Sequence, residues 1–236
     1  MDSRLGRPRV HVRRIESTNT LARELAAVGA PHGTLVTATE QTAGRGRQGR
    51  AWSAPAGTAL VCSWVIREPV ALLSLAAGVA VAELSAELCA EPGGAEALLK
   101  WPNDVLIGGR KVAGILVEGR PQERWAVLGI GINVAVQPDQ LTAELRERAA
   151  TLGLAPAEIE PTLARLRDLL EHWLAAPPAA VLDAVRARDA LRGRPVAWGQ
   201  ESGIAAGIDD SGRLVVTLED GSTRALDAGE VHLGRL

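Results

Sequence analysis

The sequence has little cysteine and histidine, and it has no tyrosine or phenylalanine at all. Cys62 and Cys89 are too few for a disulfide framework, and they are too far apart for a CxxC metal or redox pair. The four histidines are scattered and follow no zinc-binding spacing (His11, His32, His172, His232). These absences argue against a disulfide scaffold and against a structural zinc protein.

The chain also lacks a charge excess and a long apolar run. Its 26 lysines and arginines nearly balance 28 aspartates and glutamates, giving a formal net charge of −2. This balance argues against a polycation that wraps nucleic acid. The longest apolar stretch, residues 70–82, is too short for a membrane span, and the N-terminus has no apolar signal segment. We therefore expect a cytoplasmic protein that binds neither DNA nor a membrane.

Hydrophobic periodicity over the 236 residues predicts an irregular mixture of strands and helices, followed by short strands from residue 191 onward. Strands are predicted at residues 9–15, 33–40, 60–67, 97–101, 112–118 and 125–134, and helices after Ser17, at 72–90, and at about 139–150, 160–175 and 178–190. The first helix is expected to bury Leu21, Leu25 and Val28. The pattern indicates an α+β fold with a main domain at residues 1–190 and a small β-barrel at 191–236.

Residues 41–52 (QTAGRGRQGRAW) are rich in glycine and arginine and contain no acidic residue. They match the pattern GxGxxG, but residues 50–55 cannot begin the helix that a dinucleotide-binding fold requires. A Walker loop requires Gly-Lys-Ser/Thr, and neither lysine of the chain has that context. RNA-binding Gly-Arg segments are longer and richer in aromatic residues. Two interpretations stay open: a lid in which Arg45, Arg47 and Arg50 bind an anion, and a solvated basic loop.

Both lysines of the chain, Lys100 and Lys111, lie in one segment, KWPNDVLIGGRK (residues 100–111). The segment continues as VAGILVE to Glu118, and GIGIN follows at residues 129–133. A coding bias explains the excess of arginine, so the two retained lysines are candidates for a function that needs lysine.

Together with ESTN at residues 16–19, and in this order, these segments resemble the biotin protein ligases. GRGRQGRAW and KWPNDVL…GRKVAGILVE carry the resemblance, which covers residues 14–134 and more loosely the C-terminal part. It implies a class II aminoacyl-tRNA synthetase-like catalytic domain with an SH3-like C-terminal barrel. The implied activity is ATP-dependent conversion of biotin to biotinyl-5′-AMP, followed by transfer to a lysine of a biotin carboxyl carrier domain. Because only about fourteen residues precede Ile15, we expect the short type without a DNA-binding domain.

The resemblance also implies which residues form the site. Ser17, Thr18 and Gln41 would bind the ureido ring of biotin, with Asn19 shaping the turn. The implied biotin-binding set is Ser17, Thr18, Asn19, Gln41, Gly44, Arg45, Gly46, Arg47, Lys111 and Gly114. The implied ATP-binding set is Arg45, Arg47, Arg50, Trp52, Asn103, Asp104, Lys111 and Asn133.

Catalysis in such an enzyme needs positive charge, because a carboxylate must attack the α-phosphorus of ATP. Lys111 is the first candidate for this role by resemblance, and Arg47 is expected to assist it. Asp104 is a candidate to orient or deprotonate the acceptor lysine, and solvent is an equal alternative. Mg²⁺ is expected as a cofactor held mostly by phosphates and water, with no identifiable protein ligands.

Three alternatives stay in view. Lipoate ligation shares the fold and the acyl-adenylate chemistry, but the polar side chains at Ser17, Thr18 and Gln41 favour a ureido group. A biotin-sensing repressor would need the DNA-binding domain, and the net charge disfavours a nucleic-acid-binding module. The sequence does not choose between a monomer and a homodimer.

Overall fold

The computed structural model describes residues 5–89, 96–120, 123–227 and 232–233. A seven-stranded mixed sheet forms its larger part. In spatial order the strands are β1 (Arg9–Ile15), β2 (Leu35–Gln41), β3 (Ala59–Arg67), β7 (Trp125–Asn133), β6 (Arg110–Arg120), β5 (Asp104–Ile107) and β4 (Ala97–Lys100). Strands β1 and β2 are parallel, and the other neighbouring strands are antiparallel.

Helices cover both faces of this sheet, because the side chains of a strand alternate between its two faces. The described helices are α1 (Thr18–Ala27), α2 (Leu73–Leu88), α3 (Ala143–Arg148), α4 (Ile159–Ala175) and α5 (Pro178–Ala187). On β3, Val65 packs in a cluster with Ala22 and Ala26 of α1, whereas Trp64 joins the larger cluster formed with α2 and α4. The residues of α2 are apolar on nearly all sides of the helix, which explains why it is buried between the sheet and α4. No helix within the described residues is long and apolar enough to span a membrane.

A second sheet follows α5. Its five strands are antiparallel, in the order β11 (Thr223–Leu226), β10 (Leu214–Thr217), β9 (Glu201–Ile208), β8 (Pro195–Trp198) and β12 (His232–Leu233). Residues of this sheet belong to the same apolar core as the main sheet, and the indole Nε1 of Trp101 donates to the Gly212 carbonyl at 3.0 Å. We propose the domain boundary at residues 190/191, between α5 and β8, although the core is continuous across it.

The predicted strands and long helices are confirmed, with three differences. The predicted buried face of α1 is right in part: Leu21 and Leu25 are half-buried and pack against the core cluster, but Val28 is 84% exposed, and the fully buried residues are Ala22 and Ala26. The predicted helix at 139–150 is a short turn followed by α3, which begins only after Thr142, whose side chain accepts from Leu145 N at 3.4 Å. The last main-domain helix ends at Ala187, because Arg188 and Ala190 bond to the backbone of Leu99 instead.

Candidate active site

A cavity of about 120 Å³ opens where the start of α1, the end of β2 and strands β5 to β7 meet. The segment at residues 42–52, hereafter the Gly-Arg loop, lies over it, so that Arg45, Arg47 and Trp52 also line the cavity. The structure brings together nearly all of the residues predicted for the site. The predicted residues lining the cavity are Ser17, Thr18, Asn19, Gln41, Arg45, Gly46, Arg47, Arg50, Trp52, Asn103, Asp104, Lys111 and Gly114.

Gly44 and Asn133 do not line the cavity. The Gly44 carbonyl accepts from Trp52 N at 2.9 Å and closes the base of the Gly-Arg loop. Asn133 is buried at the end of β7, where its Nδ2 donates to the Ala150 carbonyl at 2.8 Å. Ala150 N in turn donates to the Lys111 carbonyl at 2.8 Å. Asn133 therefore supports the backbone behind Lys111.

Polar side chains form one wall of the cavity: Thr18, Asn19 and Gln41 line it, and the buried Ser63 is bonded to Thr18 and Asn19. This polar cluster consists of Thr18, Asn19, Gln41 and Ser63. The Oε1 atom of Gln41 accepts from the backbone N of Thr18 at 2.7 Å and from its hydroxyl at 3.0 Å. The Gln41 side chain thereby satisfies a free N–H at the start of α1, a role that the N-cap residue Ser17 does not perform with its own side chain.

Ser63 connects the two helix residues of the polar cluster. Its hydroxyl donates to Asn19 Oδ1 at 2.6 Å and lies 2.8 Å from Thr18 Oγ1. Asn19 in turn lies directly on the backbone of Gly129, where an added Cβ would come within 2.0 Å of Asn19 Oδ1. Only glycine at position 129 therefore lets Asn19 approach the sheet.

A cationic region lies beside the polar cluster. The Lys111 ammonium is 2.6 Å from the Asp104 carboxylate, and it lies 5.5 Å from the centre of the Trp52 ring. Trp52 covers Gly131, where a Cβ would come within 2.5 Å of the indole. Gly131 is two residues beyond Gly129 on β7, so the two regions are about 7 Å apart along the strand.

The arginines of the Gly-Arg loop contact different elements. Arg47 Nη1 donates to Asn103 Oδ1 at 3.3 Å, and Asn103 Nδ2 donates to the Ile115 carbonyl at 2.9 Å. Arg45 lies 3.6 Å from the carboxylate of Glu118. Three arginines and Lys111 line the cavity against one described carboxylate, Asp104, so the site favours anionic ligands.

Sequence reasoning missed Ser63, Glu118, Gly129 and Gly131 as parts of the site. Ser63 carries a weak signal, because it is the only hydroxyl-bearing residue in the apolar strand ALVCSWVIR. Cys62 also lines the cavity, but burial raises the pKa of its thiol. The thiol therefore stays protonated at neutral pH and is a poor nucleophile.

Comparisons with known proteins agree with the motifs. The profile of the Biotin/lipoate A/B protein ligase family matches residues 11–134, and that of the Biotin protein ligase C terminal domain matches residues 185–234. The biotin--[acetyl-CoA-carboxylase] ligase of Mycobacterium tuberculosis is 41% identical, over 92% of this chain and 86% of the relative. That of Paracoccus denitrificans is 35% identical, over 94% and 98%.

A bifunctional relative and a solved structure are also similar to this chain. The bifunctional ligase/repressor BirA of Bacillus subtilis is 36% identical, over 93% of this chain and 72% of the relative. The structure of biotin protein ligase from Aquifex aeolicus in complex with biotin and ATP superposes with a TM-score of 0.78 at 27% identity, covering 98% of this chain and 100% of that one. These matches confirm the predicted fold class and the resemblance carried by the motifs. The chain belongs to the biotin/lipoate A/B protein ligase family.

Proposed function

We propose that this chain is a ligase that activates biotin with ATP as biotinyl-5′-AMP and transfers the biotinyl group to a lysine of a biotin carboxyl carrier domain. One observation carries the proposal: a single cavity joins an uncharged polar cluster to a cationic region with a tryptophan. Biotin has a neutral ureido ring at one end and a carboxylate at the other. The relatives named as biotin--[acetyl-CoA-carboxylase] ligases support the same assignment.

The polar cluster suits the ureido ring, which contains two N–H donors and one carbonyl acceptor. Ser17, Thr18 and Asn19 are only 2–4% exposed, so their polar groups are desolvated and directional. A neutral ligand can satisfy such groups without the large desolvation cost of a buried charge. The buried hydroxyls and amides also favour biotin over lipoate, whose tail offers them no ureido group.

The cationic region suits the first chemical step. An oxygen of the biotin carboxylate attacks the α-phosphorus of ATP, and pyrophosphate leaves. The two reacting groups are both anionic, so a fixed cation between them stabilises the transition state. Asp104 holds the Lys111 ammonium at 2.6 Å, and we assign the cation's role to Lys111. Arg47, bonded to Asn103 at the cavity edge, would add a second donor to the phosphate.

Nucleotide binding would use the outer part of the same region. Trp52 presents a ring to the cavity, and its indole Nε1 is buried without a hydrogen-bond partner in the described part of the chain. Arg50 and Asn103 also line the cavity. Asn133 would contribute indirectly, by holding the segment that supports the backbone of Lys111.

Mg²⁺ is the metal expected with ATP, and the residues fit an ion that arrives with the nucleotide. Within the described residues no three histidine, cysteine or acidic side chains lie together as a metal cage. Asp104 offers one carboxylate to the cavity, which suits an ion held mainly by phosphate oxygens and water. When bound, the ion would neutralise charge on the phosphates, with Asp104 and Asn103 as the protein side chains best placed to hold it.

In the second step the amine of the acceptor lysine attacks the acyl carbon of the adenylate, an amide forms, and AMP leaves. The amine must lose a proton before or during the attack. Asp104 is the described carboxylate that lines the cavity, so it can orient this amine or accept its proton. Asp104 would therefore act in both steps: it holds the Lys111 ammonium in the first and orients the acceptor amine in the second.

The proposal is tested by incubating the purified chain with labelled biotin, ATP, Mg²⁺ and a carrier domain that presents a Met-Lys-Met acceptor. We expect label in the carrier only when ATP is present and only when the acceptor lysine is intact. Labelled lipoate is the matched control. The absence of ATP-dependent labelling, or preferential transfer of lipoate, would refute the proposed function.

A further inference from the structure

Glu118, near the end of β6, contacts both the polar cluster and the Gly-Arg loop. Its side chain is only 22% exposed, although the sequence gives no sign of a buried role. Oε2 accepts from Asn19 Nδ2 at 3.0 Å, and Oε1 lies 3.6 Å from the guanidinium groups of both Arg23 and Arg45. Asn19 and Arg23 are four residues apart on α1, so they face the carboxylate from the same side of the helix.

The first contact fixes the orientation of an amide. The two ends of the Asn19 side chain are chemically different, since Nδ2 donates and Oδ1 accepts. With Nδ2 bonded to the carboxylate, Oδ1 faces the Ser63 hydroxyl and accepts a hydrogen bond from it at 2.6 Å. The reverse orientation would place Oδ1 against the negative charge of Glu118. The carboxylate thereby determines how the polar cluster presents its groups to the cavity.

The second contact places the Glu118 carboxylate between two positively charged arginines. Arg23 belongs to α1 and Arg45 to the Gly-Arg loop, and Glu118 Oε1 is equidistant from both. Without the carboxylate, two guanidinium groups would face each other with no counter-charge described between them. Repulsion would then push Arg45, and the loop that carries it, away from the cavity.

We propose that Glu118 is a positioning residue of the ligase: it orients Asn19 toward the biotin pocket and holds Arg45 at the cavity before substrate binds. This inference rests on the proposed function for its kinetic consequence, since Glu118 itself does not line the cavity. Its structural consequence, a Gly-Arg loop that opens less often in the free protein than it would without Glu118, does not depend on any activity.

Two substitutions separate the contacts. Glu118→Gln keeps an acceptor for Asn19 but removes the charge that bridges the arginines, so we expect the KM for biotin to rise about three-fold with kcat within about two-fold. Glu118→Ala also removes the acceptor of Asn19 Nδ2, so we expect the KM to rise about ten-fold or more. Biotin-dependent exchange of pyrophosphate into ATP measures both parameters. Glu40→Gln, which removes a half-buried glutamate paired with Arg14, is the matched control.

The loop is measured in the same proteins without ligands. Trypsin should cut after Arg45 and Arg47 faster in Glu118→Gln than in the wild type or in Glu40→Gln, at an unchanged melting temperature. Replacing Arg23 with alanine in the Glu118→Gln protein should restore the slower cutting in part, because the repulsion is gone although the ion pair with Arg45 is still missing. A double-mutant cycle with Arg45→Ala should show that Glu118→Gln no longer changes the KM.

Unchanged cleavage and an unchanged KM in a folded Glu118→Gln protein would overturn the proposal. So would a fall in kcat at constant KM, or a Glu118→Gln effect that persists in full when Arg45 is alanine. If the wild type shows no biotin-dependent exchange, the proposed function fails, whereas the cleavage comparison still decides whether Glu118 holds the loop. If Glu118→Ala does not fold, the charge-removing variant and the Arg23 rescue carry the test.

Discussion

The two sides of the cavity are built differently. On the sheet side, Thr18, Asn19 and Ser63 are almost fully buried and bonded to one another over the backbone of Gly129. On the loop side, Arg45 is about half exposed and reaches its partner at 3.6 Å, and Arg47 reaches Asn103 at 3.3 Å. Buried, short hydrogen bonds fix geometry, whereas exposed ion pairs contribute little stability. The sheet side is therefore suited to recognition and chemistry, and the loop side to opening and closing.

The largest expected effect tests the sheet side. Lys111→Ala removes the cation that Asp104 holds at 2.6 Å. The transition state of adenylate formation should therefore lose about 2–4 kcal/mol of stabilisation, and the rate should fall accordingly. The fold should remain intact, because Lys111 is partly exposed and its backbone contacts do not need the side chain. Biotin-dependent pyrophosphate exchange measures the loss, and circular dichroism confirms folding. A folded variant that exchanges at the wild-type rate would show that Lys111 is not the required cation.

The loop side should yield a different phenotype. Arg47→Gly removes a charge-assisted contact to the adenylate and the bond to Asn103, so the adenylate should escape about ten-fold faster or more, equivalent to about 1.5–3 kcal/mol. Adenylate should still be made, since Lys111 and Asp104 are untouched. Streptavidin blots of albumin incubated with biotin and ATP should then show label that the wild type does not produce. If the variant still makes adenylate but leaves albumin unlabelled, the loop arginine does not retain the intermediate.

Features of the cavity that depend on residue type could be predicted from the sequence, whereas features that depend on strand register could not. The motifs grouped Ser17, Thr18, Gln41, Lys111 and the loop arginines, and these residues line one cavity. They could not predict the roles of Ser63 and Gly129. Those two residues matter because they are opposite each other in the β3–β7 pairing, and Leu116 of β6 is opposite Gly129 on its other side. Pairing between strands distant in sequence is not encoded by local periodicity.

The centre of the buried face of α1 was missed for a related reason. Periodicity favours large apolar residues such as Leu21, Leu25 and Val28, and the two leucines do pack at the side of this face. The centre of the face is instead formed by Ala22, Ala26 and Asn19, which are buried against the sheet. Small residues there allow α1 to approach closely enough for Asn19 to reach Gly129 and Glu118. The need to place a polar side chain over the sheet thus overrides the usual preference for a leucine-rich face.

Gly129→Ala sharpens the comparison by acting directly on the sheet side. The new methyl group would lie about 2.0 Å from Asn19 Oδ1, so Asn19 must move and lose its bonds to Ser63 and Glu118. We expect a loss of about 1–3 kcal/mol in the free energy of unfolding and a similar loss in biotin affinity. Urea unfolding and biotin titration measure the two. Combining it with Asn19→Ala should restore stability but not affinity; a single variant that binds biotin normally would mean that Asn19 does not shape the pocket.

The smallest expected effect concerns the loop side in the unaltered protein. The loop is rich in glycine, and its contact between Arg45 and Glu118 is half-exposed and 3.6 Å long. The Gly-Arg loop should therefore open locally at modest cost, and trypsin should cut after Arg45, Arg47 or Arg50 in the free protein. Biotin and ATP together place phosphate beside these arginines and should slow the cuts several-fold, because any ligand that binds only the closed loop stabilises it. Cleavage after Arg224, an exposed arginine of the C-terminal sheet, is the internal control and should not change. Equal cutting at all sites with and without ligands would show that the loop does not close over the substrates, and the contrast between a fixed and a movable side of the cavity would then be lost.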